Sequence, residues 1–419
     1  MHSLSEIETL AMKAVAEIRA TQLKAPQKII FGAGAFAQLA GLVRARAGGK
    51  PVFIVADRTV LARAEMLAHE NAGLIFSEVD HEPTVAMVDV AVAQARKLQP
   101  GLIVSLGGGS VMDSAKAVAA LTTNPGSVAD YLEGVGNRTT LENPPRPHIA
   151  VPTTAGTGAE ATRNAVVAVP EKGVKRSMRF DDMLPVVALL DPELTLTVPR
   201  GATAAGGLDT LTQLLESSIS SKRKPATTAL ALLGLPLVRE ALPICCDEPT
   251  NREARAAMML ASFLSGVCLA NAGLAMAHGI AAALGALHGV AHGLACGILL
   301  PAMLRYNRTA CALELATALA AFLNQEKNSG WAGAPLPRAG LETPPTKPMP
   351  IAVDAIIETG IVEIEKLQRQ LGLPADLRHL RLDAAALQKI AAGAMGRSMS
   401  GNPIPMDPEK TLVFLKGIA

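Results

Sequence analysis

The first half of the chain alternates short apolar runs with segments of helical periodicity. Continuous apolar runs occur at 28–31, 51–56, 102–106 and 148–151. Helical spacing of apolar residues covers 87–98 and 111–121, which lie between those runs. Strands that alternate with helices form parallel sheets, and strands that are apolar throughout are buried on both faces. The pattern predicts a doubly wound parallel sheet in an α/β domain.

The sequence pattern changes after about Pro199. Ala- and Leu-rich helical segments then follow one another, and no convincing strand interrupts them. This change predicts an α/β domain over 1–198 and an all-α domain over 199–419. Ser3 and Glu6 have the spacing of a capping box, which predicts a helix at the N-terminus rather than a signal peptide. Residues 328–350 are rich in Pro and Gly and are expected to form a long surface loop.

The charge balance excludes several classes of partner. The chain has 39 basic and 37 acidic residues, and only 3% of its residues are aromatic. No charge excess favours nucleic acid or an anionic membrane surface, and no set of aromatic residues favours base stacking. We therefore expect no nucleic-acid partner and no membrane partner.

Two further features indicate a cytoplasmic protein. Residues 271–301 contain no Asp, Glu, Lys or Arg and are long enough to span a bilayer. This segment also carries three histidines and many glycines, so a helix buried in a large soluble protein is the better interpretation. The five cysteines are odd in number and include no CxxC pair. Buried free thiols in a reducing compartment are therefore expected.

A glycine-rich segment indicates a nucleotide site. Gly107, Gly108, Gly109 and Ser110 follow a predicted strand and open a predicted helix. Consecutive glycines let backbone N–H groups approach an anion, and the helix N-terminus adds partial positive charge. The segment is neither GxGxxG nor a P-loop, because Lys116 lies too far along the helix. It predicts a pyrophosphate cradle in a Rossmann-like domain.

Asp57 ends the second predicted strand. A carboxylate at this place suits a ribose hydroxyl and repels a 2′-phosphate, which favours NAD over NADP. An aspartate that caps a helix or a turn would occupy the same position, and both interpretations stay open.

Five blocks of sequence carry a family resemblance. Residues 107–116 read GGGSVMDSAK, 152–160 read PTTAGTGAE, 190–192 read LDP and 207–212 read GLDTLT, and a histidine-containing segment follows at 278–301. In this order and spacing the blocks resemble the iron-containing (group III, metal-dependent) alcohol dehydrogenase family, from about residue 27 to the C-terminus. The resemblance implies a nucleotide-binding α/β domain, an all-helical domain and an active site in the cleft between them. It also implies a homo-oligomer, with a homodimer expected.

The resemblance further implies which residues bind NAD. They are Asp57, Gly108, Gly109, Ser110, Asp113, Thr153, Thr154, Thr157, Thr162 and Lys175.

The metal site departs from the family pattern. The family holds one divalent metal, usually iron or zinc, through an Asp, a His four residues later and two further histidines. Asp209 matches the first ligand, and His278 and His292 match the last two, but Gln213 replaces the second. An amide oxygen can coordinate as a weaker donor than imidazole. The predicted ligands are therefore Asp209, Gln213, His278 and His292, with lower affinity or a different metal preference.

A second departure concerns proton relay. The family often has another histidine at the position of Ala282, where it is thought to relay a proton. We name His288 as a candidate replacement, and His278, His288 and His292 as the predicted catalytic histidines. Spacing alone would pair His288 with His292 as an HxxxH metal clip, whereas the resemblance favours His278 with His292. A partly buried core histidine is the alternative for His288.

The predicted function is NAD(H)-dependent, metal-assisted hydride transfer on a small alcohol or aldehyde. Two alternatives remain open. One is a metal-independent oxidoreductase like maleylacetate reductase, which Gln213 permits. The other is a catalytically silent dinucleotide-binding protein. A substrate with a carboxylate would need a basic anchor, and the sequence identifies none.

Overall fold

The computed structural model describes residues 1–324 and 351–419. The strands in these residues are β1 (Lys28–Phe31), β2 (Val52–Ala56), β3 (Leu74–Phe76), β4 (Leu102–Gly107), β5 (His148–Pro152), β6 (Asn164–Val169), β7 (Val174–Arg179) and β8 (Val187–Leu190). Six of them form one parallel sheet in the order β1-β8-β5-β4-β2-β3. Strands β2, β4, β5 and β8 are buried along their whole length, which explains their continuous apolar sequences. The predicted parallel α/β fold is confirmed.

Helices cover both faces of the sheet and build a second, helical layer. They are α1 (Leu4–Ala20), α2 (Leu39–Ala47), α3 (Leu61–Glu70), α4 (Val85–Leu98), α5 (Gly109–Leu121), α6 (Arg200–Ile219), α7 (Pro225–Asp247), α8 (Arg252–Ala272), α9 (Met276–His288), α10 (His292–Asn307), α11 (Ala312–Phe322), α12 (Ile351–Gln370), α13 (Ala384–Gly393) and α14 (Pro408–Lys416). Helices α2 and α3 pack on one face of the sheet. Helices α4 and α5 pack on the other, together with the antiparallel hairpin of β6 and β7.

Helix α1 belongs to the helical layer, although it is the first element of the chain. Ile7, Ala11, Ala14 and Ile18 are buried in the same core as α6 to α11. Their spacing places four small or branched side chains on one face, and that face lies against α8. The predicted division at 198/199 had assigned these residues to the α/β domain. The capping box of Ser3 and Glu6 is present as expected.

Three strand features were not predicted. Strand β3 is only three residues long, which is too short for a clear period. Strand β8 is as long as β1 and wholly apolar, so its sequence carried a usable signal. The hairpin β6–β7 is only partly buried and carries a run of charged residues, so its apolar pattern is weak.

The uncharged segment 271–301 is not one continuous helix, because it contains the end of α8, all of α9 and the start of α10. Helices α7 and α8 are long and apolar enough to cross a membrane by composition alone, but α8 is almost wholly packed inside the protein. The predicted loop at 328–350 lies outside the described residues.

Candidate functional site

The glycine loop joins β4 to α5 and is held against the loop that follows β5. The Thr153 N–H donates to the Gly107 carbonyl at 3.0 Å. A Cβ on Gly109 would come within 2.9 Å of the Thr157 hydroxyl, and one on Gly108 within 3.3 Å of the Thr154 hydroxyl. A side chain at Gly109 would force the two loops to shift apart, and one at Gly108 would displace the Thr154 side chain slightly. The α5 N-terminus therefore stays open toward an anion.

A buried lysine ties these loops together. Lys116 Nζ donates to Thr162 Oγ1 at 2.9 Å and to the Ala159 carbonyl at 3.1 Å, and it lies 2.9 Å from Asp113 Oδ1. Asp113 Oδ2 accepts from the Val166 N–H at 3.0 Å. Asp113 and Thr162, both predicted to bind the cofactor, thus also position α5 against the neighbouring loop and β6.

A cleft of about 520 Å³ runs from this loop into the helical layer. Six of the predicted cofactor residues line it, namely Gly109, Ser110, Asp113, Thr157, Thr162 and Lys175. Gly108, Thr153 and Thr154 lie behind this lining, in the loops that shape it. Asp57 lies at the end of β2, where its carboxylate accepts from the Thr59 N–H at 2.8 Å and caps a short 3-10 helix. A turn-capping role is therefore present, and the ribose role stays a prediction.

Four side chains that could hold a metal ion meet at the cleft. Donor atoms of Asp209, His278, His292 and Cys296 all lie within 4.8 Å of one another. Asp209 comes from α6, His278 from α9, and His292 and Cys296 from one face of α10. A Cβ on Gly293 would come within 3.2 Å of Asp209 Cβ, so this glycine lets α10 approach α6 closely. The family pairing of His278 with His292 is the one observed, with ring centroids 5.3 Å apart.

The hydrogen bonds around His278 indicate that a cation belongs in this cluster. Glu216 accepts from the Ala277 N–H at 2.7 Å, and its second oxygen lies 2.6 Å from His278 Nδ1. If Nδ1 donates to Glu216, a neutral ring directs the lone pair of Nε2 at Asp209 Oδ1, 3.0 Å away. Two acceptors at that distance repel each other unless a proton or a metal ion lies between them. A carboxylate that orients a ligating histidine is typical of metal sites.

The pKa values of these groups reflect the same concentration of negative charge. Burial lowers the pKa of His292, but Cys296 and Asp209 outweigh that effect and raise it to about 9. The pKa of His278 is also raised well above its usual value, because Cys296, Glu216 and Asp209 together outweigh its burial. Burial raises the pKa of Asp209, yet the two histidines lower it below its usual value. These shifts show that the cluster favours a positive charge among its side chains.

Gln213 lies beside the cluster, but its amide is bound elsewhere. Its Nε2 donates to the Thr157 carbonyl at 3.3 Å, and its Oε1 lies 2.8 Å from Ser265 Oγ. In this orientation the amide nitrogen, rather than the oxygen, lies on the side of Asp209 and helps to lower its pKa. The Gln213 oxygen is engaged by Ser265, and its role as the fourth ligand stays a prediction. The sulfur of Cys296 is a further donor atom that lies within 4.8 Å of those of Asp209, His278 and His292.

His288 does not lie in the cleft. It is an exposed residue in the last turn of α9, and the cleft is lined instead by Ala282 on the same helix. The expected relay role therefore has no support in the structure. The physical reason is helix geometry: ten residues separate His288 from His278, so the two lie nearly three turns apart along α9.

Comparison with known proteins identifies the family. The sequence model described as "Iron-containing alcohol dehydrogenase" matches residues 26–192. The model described as "Fe-containing alcohol dehydrogenase family, C-terminal" matches residues 203–334. The chain belongs to the iron-containing alcohol dehydrogenase family.

Relatives and solved structures agree with this assignment. The chain is 34% identical to "Long-chain-alcohol dehydrogenase 1" of Geobacillus thermodenitrificans, over 68% of this chain and 73% of that protein. The crystal structure of a 1,3-propanediol oxidoreductase is similar with a TM-score of 0.81 and 28% identity, over 94% of this chain and 98% of the other. A sulfoacetaldehyde reductase from Bifidobacterium kashiwanohense, in complex with NAD+, has a TM-score of 0.79 and 28% identity, over 94% and 97%.

The chain is therefore an NAD-dependent oxidoreductase that acts on alcohol groups and belongs to a family that uses a divalent metal. The predicted family, enzyme class and cofactors are confirmed.

Sequence reasoning missed two residues of the metal end. Cys296 follows His292 by four residues, and this HxxxC spacing on a helix was a usable signal. It was treated only as one of five buried free thiols, and all five are indeed free and buried. Glu216 follows Asp209 by seven residues and so lies on the same face of α6.

Proposed function

We propose that the protein interconverts a small aldehyde and its alcohol with NAD(H), using a divalent metal held by Asp209, His278, His292 and Cys296. The observation that carries the proposal is the meeting of these four donors at the end of the cleft that begins at the glycine loop. Ligands in a tetrahedral site with bonds of about 2.0–2.3 Å lie roughly 3.3–3.8 Å apart, a spacing that a small side-chain adjustment gives here.

The chemistry divides between the bound groups and the protein. NADH, when bound, supplies the hydride, and a divalent metal, when bound, supplies a Lewis acid for the substrate oxygen. The aldehyde carbon gains the hydride and its oxygen gains a proton, so that the products are an alcohol and NAD+. Glu216 fixes the orientation of the His278 ring through Nδ1. Lys175, paired with Glu82 and packed against Gly285 of α9, lines the cleft between the two ends.

The donor set also supports a choice of metal. Thiolate is a softer ligand than the amide oxygen expected from Gln213 and favours zinc over magnesium or calcium. We further expect a cytoplasmic enzyme, since all five cysteines are free, and a homodimer. Size-exclusion chromatography with light scattering tests the dimer.

The ligand set is tested by exchanging one donor at a time. The variants are Cys296→Ser and Gln213→Ala, with Cys268→Ser as the matched control, because Cys268 is equally buried but lies outside the cluster. Each protein is stripped with a chelator, reloaded with zinc or iron, and measured for bound metal per chain and for metal–sulfur scattering by X-ray absorption. We expect a metal–sulfur distance of about 2.3 Å in the parent protein and in Gln213→Ala.

We expect Cys296→Ser to lose that scattering and to bind metal about 10- to 100-fold more weakly, while Cys268→Ser behaves like the parent. A parent protein without metal–sulfur scattering that loses its metal on Gln213→Ala would return the fourth position to Gln213. Aldehyde reduction that is indifferent to metal would instead support the metal-independent alternative. NADH binding without turnover of any aldehyde would support the alternative of a catalytically silent dinucleotide-binding protein.

A further inference from the structure

Three arginines line the wall of the cleft that also holds the metal cluster. We call Arg163, Arg179 and Arg397 the arginine cluster. Arg163 precedes β6, Arg179 ends β7, and Arg397 lies in the segment after α13. All three line the same cleft as His278 and His292. Residues from distant parts of the sequence thus place three guanidinium groups at one wall.

The arginine cluster carries more positive charge than its neighbouring carboxylates neutralise. Glu133 accepts from Arg179 Nε at 3.2 Å and lies 3.4 Å from Arg397 Nη1, so one carboxylate serves two arginines. Arg163 pairs with Asp181, which is mostly exposed and also pairs with Lys24.

Two more cations, Lys222 and Arg176, line the cleft nearby, and among the described residues no carboxylate oxygen lies within 4.0 Å of either. The other acids of the cleft are engaged elsewhere. Glu82 pairs with Lys175, Asp113 pairs with Lys116, and Asp209 belongs to the metal cluster.

Burial makes the excess positive charge of these guanidinium groups energetically unfavourable. The Arg179 and Arg163 side chains are only 17% and 21% exposed. Burial lowers the pKa of Arg179, and the charges of Arg397 and Arg163 lower it further, against the effect of Glu133. Burial and Arg397 lower the pKa of Arg163 in the same way. The Arg163 Nε–H is buried and has no acceptor among the described residues. Like charges held together with an unused donor are stabilised by an incoming anion.

Helix α9, which carries His278 of the metal cluster, also packs against the segments that carry two of the three arginines. Strand β7, which ends in Arg179, packs against α9, which carries His278. On the same helix, a Cβ on Gly279 would come within 3.0 Å of the Ala394 carbonyl, three residues before Arg397. One helix therefore bears a metal ligand and supports two of the three arginines. Since the arginines and His278 and His292 line one cleft, a substrate whose oxygen is at the metal lies in the same cavity as the guanidinium groups.

We propose that the substrate is an aldehyde, or its alcohol, that carries an oxyanion at the end remote from the reacting carbon. The arginine cluster binds that oxyanion, which is a carboxylate, a sulfonate or a phosphonate. Guanidinium groups suit all three, because their N–H pairs match two oxygens at once. This inference rests on the proposed function for the reacting end, and it supplies the basic anchor that the sequence did not reveal.

The test compares matched aldehydes in the zinc-loaded enzyme. Initial rates of NADH oxidation are measured with 4-oxobutanoate and with butanal, which has the same carbon chain but no charge. Aldehydes ending in a sulfonate or a phosphonate distinguish the three oxyanions. The variants are Arg397→Gln and Arg179→Gln. The matched control is Arg378→Gln, which removes one exposed arginine charge outside the cleft.

We expect the parent to prefer at least one charged aldehyde over butanal in kcat/KM by about 10- to 100-fold. Arg397→Gln should remove most of that preference by raising the KM for the charged aldehyde. The kcat and KM for butanal should change less than twofold. The KM for the charged aldehyde should rise with ionic strength, whereas the KM for butanal should not. Arg378→Gln should behave like the parent. Equal kcat/KM for all charged aldehydes and butanal, or an equal loss for both in Arg397→Gln, would overturn the inference and leave the proposed function standing.

Binding provides a readout that does not need turnover. Calorimetry on the enzyme with NAD+ bound measures the affinity for succinate and for succinamide, its neutral counterpart. Tighter binding of succinate in the parent, lost in both arginine variants, supports the arginine cluster as an anion site even if no aldehyde in the panel is reduced. If succinate, the sulfonate analogue and the phosphonate analogue all bind no more tightly than their neutral counterparts, the arginine cluster is not an anion site. Failure of reduction with intact anion binding would count against the proposed function alone.

Discussion

The glycine loop and the metal cluster lie in the same cleft, but they depend on the sequence in different ways. The glycine loop works through its backbone, and Gly108 and Gly109 are needed because Thr154 and Thr157 touch them. The metal cluster works through side chains that three helices bring together. A change in the glycine loop has no local substitute. A donor on one helix can be replaced by a donor from another, and the sulfur of Cys296 on α10 lies within 4.8 Å of the other three donor atoms.

The largest expected effect comes from removing the central carboxylate of the metal cluster. Asp209→Ala should lower aldehyde reduction by about 1,000-fold or more and abolish tight metal binding, because Asp209 faces both histidines. NADH affinity should stay within threefold, since the glycine loop does not depend on this side chain. Fluorescence titration of NADH and metal analysis check both statements. A parallel loss of NADH binding would show that the two sites do not act separately, and Asp247→Ala serves as an exposed control.

The free energy of unfolding should depend on pH through Glu160, which lies in the loop after β5. Burial raises the pKa of Glu160 to about 7, from an ordinary value of 4.5. Since the folded state holds this proton more tightly, its stabilising contribution is complete below pH 4.5 and is lost as the pH rises through 7. The difference corresponds to about 3 kcal/mol.

Glu160→Gln should therefore gain up to that amount over the parent between pH 5 and pH 8, measured by urea unfolding at each pH. A constant difference between the two proteins across this range would rule out the titration of Glu160 as the cause.

A smaller effect is expected within the glycine loop. Gly109→Ala places a methyl group within 2.9 Å of the Thr157 side chain, so the two loops must separate slightly. We expect NADH affinity to fall about 10- to 100-fold, in line with the usual cost of overpacking. Metal content per chain should be unchanged. If Gly109→Ala, Thr157→Ala regains part of the affinity, the close contact is the cause; no recovery would assign the loss to the loop conformation itself.

The smallest effect is expected at His288. Because this residue is exposed and lies outside the cleft lining, His288→Ala should change kcat and KM less than twofold at every pH between 6 and 9. Steady-state rates across that range test the statement. A tenfold loss of kcat with a shifted pH profile would restore the relay role expected from the sequence.

Much of the fold followed from the sequence, for identifiable reasons. The buried strands β2, β4 and β5 are mostly apolar and end at or just before Asp57, Gly107 and Pro152, and α4 and α5 have regular apolar spacing. Strand β3 is too short to show a period, whereas β8 is as long as the predicted β1 and could have been found from its apolar run. The packing of α1 against α8 was not predictable from position, because Ile7 and Ile18 specify only that one helix face is buried, and not against which partner.

The sequence by itself determined the family, the enzyme class and the cofactors, because these follow from contiguous motifs whose geometry is local. The tertiary structure decided the rest. It turned the Gln213 amide toward Ser265 and Thr157, it brought Cys296 to Asp209, and it gathered the arginine cluster from three separate segments. The physical reason is that metal coordination and anion binding act over a few ångströms in space. The packing of α6, α9 and α10 sets those distances, and spacing along the chain does not.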